Sequence, residues 1–418
     1  MPSIVPWRPS LQNLYVKFTL NLHRLCIMSK EDMGGEIMRI LIVSETFVPA
    51  TDGICTRLSK FVVEFQKLGH EVLVVSPDLG IDEYKGVPVI GLDTIKLPFY
   101  GSRPWGLPNR QIKKIMQDFQ PDVVHAVNPF SLATSGVTYA HRLNIPLLTS
   151  YHTHMPDYLD YYNMSLLKPV LWEYIRYWHQ KADYNITVSQ CLLEELEEHD
   201  ITTHDVLPRG LDIEARHPRY FNEDLYQELT FNLPDQKLLV YVGRLASEKG
   251  LRQLKAIFDH RDDVCLALVG DGPEREELEA YFEGTKTTFV GFKHGEALSE
   301  AFATGDAFIF PSTSETFGLV ISEAMASGLP VIAAKSAPTL EQIQEGETGF
   351  IFESNNEASL IEALKVLDNP FLLQKASRLG RKEVEKYTWA NATQKMLDFY
   401  QLAIDNHQNH YSIFQHII

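Results

Sequence analysis

Two carboxylates carry the clearest chemical signal in the sequence, within the stretch SETFGLVISEAMASGLPVIAA. Glu315 and Glu323 stand eight residues apart around an apolar run. We predict a loop at Glu315 and then a helix, with Glu323 roughly two turns inside it. Eight residues of helix rise about 12 Å, which is comparable with the reach from a sugar, across a diphosphate, to a ribose. Helix packing alone explains the apolar run but not an acid at each end.

The start of that helix offers a place for phosphate. The first N–H groups of a helix lack partners within it and, with the helix dipole, attract anions. We expect the amides near Phe317, Gly318 and Leu319 to meet phosphates, and Gly318 lets the backbone approach them closely. The dipole alone would favour an acid before the helix, which accounts for Glu315 but not for Glu323.

Two cations follow a predicted strand in the stretch YVGRLASEKG. Arg244 leaves the carboxyl end of the strand, and Lys249 comes five residues later. Both can reach a cleft beside the sheet and neutralise a diphosphate, and Arg244 can do so with two parallel hydrogen bonds. The alternative is a pair of solvated charges in a loop.

A glycine-containing turn follows another strand, in the stretch VGDGPEREELEAY. Gly270 and Gly272 allow a tight turn, and Pro273 suits a first helical turn. The spacing is not that of the G-x-G-x-x-G fingerprint, and no ribose-binding acid follows at the required place. We therefore do not expect a dinucleotide site.

Two histidines end a strand in the stretch SYHTHMPDYLDYY. His152 and His154 are two residues apart, so an extended backbone puts both on one face. That spacing suits a metal, but no third or fourth ligand is evident and no Asp-x-Asp occurs in the chain. We expect neither a metal nor another cofactor. A structural role is the alternative for His154.

The composition describes a globular protein with more than one core. The 418 residues are 44% hydrophobic and 22% charged, with a formal net charge of -17. That charge argues against nucleic-acid binding, which needs a basic face. No apolar run reaches the eighteen residues that a membrane span requires. Four scattered cysteines favour a reducing compartment and exclude a structural zinc site.

Apolar runs alternate with helical patterns in two series, which predicts α/β architecture with parallel sheets. The first series begins with RILIVSETF and ends with YNITVS, and the second runs from KLLVYVGRL to TGFIFE. We predict two Rossmann-like domains facing a cleft, with ligands outside the carboxyl ends of the strands. The predicted boundaries are residues 38–212 for the first domain, 213–236 for a linker, 237–390 for the second domain and 391–418 for a helix crossing back with a tail.

The first 37 residues form a separate leader with basic residues in its first thirty and no acid there. Either it is a targeting or membrane-touching segment, or it is disordered or reflects the choice of start site. Met33 and Met38 offer later starts.

These motifs resemble those of the retaining GT-B glycosyltransferases of family 4. The resemblance covers roughly residues 38–400 and implies a hexosyltransferase. It implies that Arg244 and Lys249 bind the donor diphosphate, that Glu315 contacts the donor sugar and that Glu323 contacts the ribose. The amides from Phe317 to Val320 complete the phosphate site, with the turn at Gly270 and Gly272 also on the donor side. The resemblance puts His152 beside the donor sugar and His154 near the acceptor.

The loop FVPATDGICTRL departs from that family. Its members commonly carry two adjacent glycines where this chain has Asp52 and Gly53. Gly53 alone is left to let the backbone approach the phosphate, and Asp52 is a candidate for facing the acceptor.

Within the family, several stretches look closest to the sulfoquinovosyltransferases of sulfolipid synthesis. They are DGICTRL, GIDEYKG, HAVNPFSLATSG, SYHTHMPDYL and RGLD. The resemblance implies transfer of sulfoquinovose from UDP-sulfoquinovose to diacylglycerol. Arg209 stands where many relatives carry Asn, and this cation either pairs with the sulfonate or makes a plain surface contact.

A lipid acceptor implies a protein at a membrane surface, on its cytoplasmic face. The stretch LLKPVLWEYIRYWHQKAD mixes aromatic, aliphatic and basic residues, as an interfacial amphipathic helix does. Aromatics at such spacing also occur in cores. Peripheral docking therefore depends on the resemblance.

The resemblance implies same-face attack by the acceptor, with the departing diphosphate accepting its proton and the cations stabilising the leaving group. One alternative is a glucosyl- or mannosyltransferase that uses UDP-glucose or GDP-mannose and a lipid acceptor. The others are a nucleotide-sugar 2-epimerase of the same fold and a non-catalytic nucleotide-sugar-binding module.

Overall fold

The computed structural model of the chain describes the residues 37–50, 52–96, 104–153, 155–156, 159 and 164–415. Residues 1–36 of the predicted leader and His154 lie outside these ranges. The structural statements below concern the described residues.

The first half of the chain builds a sheet with the order β10-β9-β8-β7-β1-β2-β4-β3, beside a separate hairpin of β5 and β6. Its ladders are parallel except for the β3–β4 pair and the hairpin. The strands are β1 (Arg39–Ser44), β2 (Glu71–Pro77), β3 (Glu83–Tyr84), β4 (Val87–Leu92), β5 (Thr94–Lys96), β6 (Pro104–Gly106), β7 (Val123–Val127), β8 (Leu147–Tyr151), β9 (Tyr184–Thr187) and β10 (Asp205–Val206).

Helices cover this sheet because their apolar residues recur at helical spacing. In the first one, Asp52 accepts a hydrogen bond from the backbone of Cys55 and so caps the helix start. Gly69, with a φ of 88°, lies just beyond the helix end, where a left-handed residue commonly follows a helix. The helices are α1 (Gly53–Lys67), α2 (Gln111–Phe119), α3 (Leu132–Leu143), α4 (Lys168–His179) and α5 (Gln190–Glu198).

The second half builds a parallel sheet with the order β13-β12-β11-β14-β15-β16. Its strands are β11 (Lys237–Val242), β12 (Val264–Val269), β13 (Thr287–Gly291), β14 (Ala307–Phe310), β15 (Val331–Ala334) and β16 (Gly349–Phe352). Its helices are α6 (Glu223–Leu229), α7 (Ile257–His260), α8 (Arg275–Tyr281), α9 (Gly295–Ala303), α10 (Leu319–Ala326), α11 (Ala337–Leu340), α12 (Glu357–Leu364), α13 (Pro370–Val384) and α14 (Trp389–Gln415).

The predicted α/β architecture with two parallel sheets is confirmed. Most apolar runs of both series form strands that are buried on both faces; β12, for example, is buried along its whole length, whereas β13 is only partly buried. The stretch predicted as a plain linker also carries structure. It contains a 3₁₀ turn at Pro218–Tyr220 and α6, which Asn222 caps through the backbone of Leu225.

The C-terminal helix α14 packs on the first sheet. Its aromatic residue Tyr400 is fully buried there, and Tyr400 donates or accepts a 2.9 Å hydrogen bond with Nδ1 of His125 on β7. Trp389, at the start of α14, meets the ring of Phe61 on α1 with the centroids 5.5 Å apart. The part of α14 around Tyr400 therefore belongs to the core around β7 and β8.

Buried histidines make the stability of this core depend on pH. Burial lowers the pKa of His125 from 6.5 to about 3 and that of His179 to about 4. Below pH 6.5 the unfolded chain protonates both rings while the folded chain keeps them neutral. The unfolded state then binds more protons, and the free energy of unfolding falls as the pH is lowered, by about 1.4 kcal/mol per pH unit for each histidine.

We therefore expect urea unfolding to show a steadily smaller free energy of unfolding between pH 7 and pH 4. The variant His125→Gln should lose part of this slope, because it removes one of the buried histidines that the unfolded chain protonates. The exposed His141 provides the control, since His141→Gln should keep the slope of the wild type. An unchanged slope in His125→Gln would contradict the assignment.

Candidate active site

The predicted site residues follow the carboxyl ends of parallel strands. Arg244 comes after β11, Glu315 after β14 and His152 after β8. The two halves meet at Phe317, whose ring lies 5.8 Å from the guanidinium carbon of Arg57 on α1. The structure thus places the loops after β14 against the part of the first half that follows β1, as expected for a cleft between two such sheets.

An ion pair joins Lys249 and Glu315, two residues of the predicted donor site. Nζ of Lys249 donates to Oε1 of Glu315, and the side chains keep 15% and 23% of their accessible surface. The hydroxyl of Ser312 donates to the same carboxylate oxygen at 3.3 Å. Ser314 ties this loop to the 3₁₀ turn of Lys249 by donating to the carbonyl of Glu248 at 3.0 Å. The pair is therefore held in place from both loops.

Arg244 lies beside this pair but is much more open. Its side chain is 60% exposed and forms an ion pair with Glu248 in the following turn. Its carbonyl accepts a 3.0 Å hydrogen bond from the hydroxyl of Tyr241, which fixes the backbone. Because exposed ion pairs contribute little, the guanidinium can exchange Glu248 for a ligand anion at low cost.

The start of α10 differs from the prediction in one respect. Gly318 has a φ of 77°, so the helix begins at Leu319, and Glu323 lies about one turn inside it. The prediction of two turns was wrong because it counted Phe317 and Gly318 as helical. Gln342 fixes the loop by donating to the carbonyl of Phe317, while it accepts a 2.8 Å bond from Ser322. No motif in the sequence indicates this role of Gln342.

Glu323 has a partner that sequence analysis missed. Arg216 donates to its Oε1 at 3.0 Å and also reaches the hydroxyl of Ser299 at 3.2 Å. Burial raises the pKa of Glu323, while the charge of Arg216 acts in the opposite direction. Arg216 comes from the stretch predicted as a linker, where a lone arginine carries no recognisable signal. It positions the carboxylate that the resemblance assigns to the ribose.

Gly270 and Gly272 have a packing role in the structure. A Cβ on Gly270 would lie 1.9 Å from the carbonyl oxygen of Gly243, and a Cβ on Gly272 would lie 2.2 Å from that of Leu245. Glycine is thus required where the loop after β12 touches the loop after β11. A contact of these two residues with a donor stays a prediction.

His152 is buried and lies at the end of a chain of hydrogen bonds. Its backbone N–H donates to Oδ1 of Asn128 at 3.1 Å, and its Nε2 lies 2.8 Å from the hydroxyl of Ser150. That hydroxyl also lies 2.7 Å from Nε2 of His125, which meets Tyr400 on its other side. Burial and the charge of the nearby Arg57 lower the pKa of His152, so the ring is neutral near pH 7.

The loop after β1 combines a helix cap with open space. Asp52 caps α1 and also accepts a 2.8 Å hydrogen bond from the hydroxyl of Thr46, which explains this acid structurally. An acceptor contact of Asp52 stays a prediction. No heavy atom of the described chain lies within 4 Å of where a Cβ on Gly53 would stand. The backbone of Gly53 is therefore accessible to a ligand, as the phosphate prediction requires.

Arg209 lies against the loop that precedes α10. Its guanidinium carbon is 4.5 Å from the ring centre of Phe317 and 4.9 Å from that of Tyr387. Its Nη1 donates to the Tyr387 hydroxyl at 3.3 Å. Arg209 is therefore packed against Phe317 and Tyr387, and its contact with a sulfonate stays a prediction.

The described residues contain no group of three or more histidine, cysteine, aspartate or glutamate side chains that could hold a metal ion. In the same part of the chain, none of the helices combines the length and the apolar character that a membrane span needs.

Two parallel sheets, with charged side chains beyond the carboxyl ends of their strands, are typical of the GT-B class of glycosyltransferases. The family model described as "Glycosyl transferases group 1" matches residues 227–383, and the "Glycosyltransferase Family 4" model matches residues 51–215. The chain belongs to glycosyltransferase family 4 and is a hexosyltransferase.

Its relatives differ in the sugar that their names specify. The chain is 35% identical to the sulfoquinovosyl transferase SQD2 of Arabidopsis thaliana, over 88% of this chain and 74% of that protein. It is 30% identical to a GDP-mannose-dependent alpha-mannosyltransferase of Mycolicibacterium smegmatis, over 88% and 98%. It is 26% identical to an alpha-monoglucosyldiacylglycerol synthase of Streptococcus pneumoniae, over 78% of each chain.

Among solved structures, the chain is similar to Anabaena HepE in complex with UDP. The TM-score is 0.70 at 20% identity, and the match covers 86% of this chain and 99% of that one. At this identity the similarity supports the GT-B fold.

Removal of either member of the buried ion pair should abolish transfer. We expect Lys249→Ala and Glu315→Ala to lower kcat at least about 100-fold, the loss typical when a group that stabilises developing charge is removed. Steady-state release of the nucleoside diphosphate measures the effect. Lys335→Ala is the matched control, because Lys335 forms an exposed 2.7 Å ion pair with Glu353. Normal turnover in a folded Lys249→Ala enzyme would refute the role.

Proposed function

We propose that the enzyme transfers sulfoquinovose from UDP-sulfoquinovose to diacylglycerol with retention at the anomeric carbon. The observation that carries the proposal is the position of Arg209 over Phe317, immediately before the start of α10. It puts a cation beside the predicted donor site, where the charge of a sulfonate requires one. The similarity to a sulfoquinovosyl transferase over 88% of the chain supports the same donor.

The second half, residues 237–390, is proposed to bind the donor. Arg244, Lys249 and the first amides of α10 neutralise the diphosphate, while Glu323, held by Arg216, accepts hydrogen bonds from the ribose. Glu315 binds hydroxyl groups of the sugar. Its ion pair with Lys249 supports this role because the contact holds the carboxylate in place, where it can accept hydrogen bonds.

The first half, residues 38–212, is proposed to hold the acceptor and one side of the sugar. Gly53 offers its backbone to the phosphate, and His152 faces the donor sugar. The neutral state of His152 makes it a hydrogen-bonding group rather than an acid, because its lowered pKa leaves no proton to give near pH 7.

In the proposed reaction, the bond between the anomeric carbon and the diphosphate oxygen breaks. The acceptor hydroxyl oxygen forms its new bond to that carbon on the same face. Its proton passes to the departing phosphate oxygen, so that no protein carboxylate acts as a covalent nucleophile. Lys249 and Arg244 stabilise the negative charge that collects on the leaving group.

The membrane-facing surface is proposed to lie around the start of α4. Leu166 is 95% exposed and Val170 is 67% exposed, and Lys168 and Lys181 lie on the same segment. Exposed apolar side chains with nearby cations suit an anionic lipid surface at the cytoplasmic face of a membrane.

The aromatic part of the amphipathic prediction for this segment needs correction. Trp172 is buried in the core with the first sheet, and Trp178 packs on another core cluster of this half. Tyr174 donates to the carbonyl of Phe130 at 2.7 Å. These three aromatics serve the fold, whereas Tyr177 is 54% exposed and remains, with the aliphatic side chains, for contact with lipid.

A donor and acceptor panel tests the proposed function. Purified enzyme with diacylglycerol vesicles should use UDP-sulfoquinovose with a kcat/KM at least about tenfold above those for UDP-glucose and GDP-mannose. A neutral sugar would leave the cation beside the donor site without an anionic partner. Lipid mass spectrometry and UDP release measure the products.

The other outcomes of the panel are informative. Preferred use of GDP-mannose or UDP-glucose would assign the chain to the activities that the names of its other relatives specify. Interconversion of the nucleotide sugar without an acceptor would indicate a 2-epimerase. Absence of UDP release with every donor would indicate a binding module.

The proposed membrane surface is tested by vesicle flotation. We expect the double variant Leu166→Ser with Val170→Ser to lose at least about half of its binding to vesicles that contain anionic lipid, because the buried apolar area supplies much of the attraction. Its kcat with a soluble diacylglycerol analogue should stay unchanged. Phe371→Ser is the control, since Phe371 is equally exposed (74%) on the second half. Equal binding of the double variant and the wild type would rule out this surface.

A further inference from the structure

Arg57 is a buried cation without a partner. It lies on α1, is 5% exposed and has neither a hydrogen bond nor an ion pair with any residue that the structure describes. Its Nη1 atom is fully enclosed and lacks a hydrogen-bond acceptor. A buried charge of this kind is costly unless something compensates it.

A second guanidinium lies on the same aromatic ring. Arg57 and Arg209 come within 5.8 Å and 4.5 Å of the ring centre of Phe317. Burial, and next the charge of Arg209, lower the pKa of Arg57 to about 10. Two like charges therefore converge from α1 and from the segment after β10. Among the described residues, Arg209 is linked to an acid only indirectly. It donates to the hydroxyl of Tyr387, and that hydroxyl donates to Glu383 at 3.3 Å.

Among the described residues, the contact with the Phe317 ring is the interaction that the Arg57 guanidinium makes, and its hydrogen-bond donors are left for a ligand. A planar guanidinium donates two parallel hydrogen bonds to an oxyanion, and two of them can enclose one anionic group. We propose that Arg57 and Arg209 form a binding site for the sulfonate of the donor sugar. This inference rests on the proposed function and names the residues that would select its substrate.

The location separates this pair from the cations assigned to the diphosphate. Arg244 and Lys249 belong to the loop after β11, and Lys249 is already compensated by Glu315. Arg57 belongs to the first half of the chain and is close enough to His152 to lower the pKa of that ring. The arginine pair thus lies on the side of His152, which we propose to face the sugar. Its charge would be compensated by an anionic group of the donor other than the diphosphate.

Titration calorimetry with three ligands tests the site. The wild type, Arg57→Met and Arg209→Asn are titrated with UDP-sulfoquinovose, UDP-glucose and UDP. We expect both variants to lose at least about tenfold in affinity for UDP-sulfoquinovose, the loss of one charge-assisted hydrogen bond. Their affinities for UDP-glucose and UDP should change less than about twofold. Arg219→Gln is the matched control, because Arg219 forms an exposed 3.0 Å ion pair with Glu214.

A thermal-shift arm tests the site without a nucleotide sugar. Methanesulfonate should raise the Tm of the wild type and of Arg219→Gln, because a ligand that binds only the folded state stabilises it. It should not raise the Tm of Arg57→Met, and the neutral dimethyl sulfone should raise none of them. Arg57→Met without ligand should have a Tm at or above that of the wild type, since an uncompensated charge is removed.

The outcomes distinguish this inference from the proposed function. Equal losses for all three ligands would overturn the inference in favour of a diphosphate or structural role, and so would unchanged affinity for UDP-sulfoquinovose in both variants. Either result leaves sulfoquinovosyl transfer by the wild type intact. If the wild type transfers no sulfoquinovose, the proposed function fails, and the methanesulfonate arm alone decides whether the arginine pair binds a sulfonate. Should Arg57→Met not fold, Arg209→Asn carries the comparison.

Discussion

Compensation of charge away from bulk water is the constraint on which the site depends. Glu315 is compensated by Lys249, and Glu323 is compensated by Arg216, each through a direct contact within the protein. Each contact holds in place a carboxylate that we propose to accept hydrogen bonds from the donor. Arg57 breaks the pattern, since no acid of the described chain compensates it. For Arg57 and Arg209 we therefore propose that the compensating anion arrives with a ligand.

The C-terminal helix connects the fold to this site. Because α14 lies on the first sheet, Tyr400 reaches His125, and the hydroxyl of Ser150 joins His125 to His152. All four groups are buried, so the hydrogen bonds between them act in a low dielectric and fix the orientation of each ring. The last helix is thus a support for the residue beside the proposed sugar position, although it is remote from that residue in sequence.

The strands were predictable because buried parallel strands give continuous apolar runs, as VCLALVG does for β12. The acids of the site were predictable from their spacing around α10. The start of that helix was not, because Gly318 takes a left-handed conformation that delays it by two residues. Arg216 and Arg57 were missed for a different reason. An isolated arginine in a linker or a helix has no periodic signal. Only the tertiary structure shows whether an acidic side chain lies beside it.

The cations proposed for catalysis and the cation proposed for substrate specificity belong to different halves of the chain. The diphosphate cations follow β11 in the second half, whereas Arg57 belongs to the first half and meets Phe317 across the boundary between them. A donor with a single charged region can satisfy only one of these groups. A donor with a sulfonate and a diphosphate can satisfy both, and so it gains affinity only when the two halves are together. Because neutral His152 contributes no charge there, it would not compete with the proposed pairing of Arg57 and a sulfonate near pH 7.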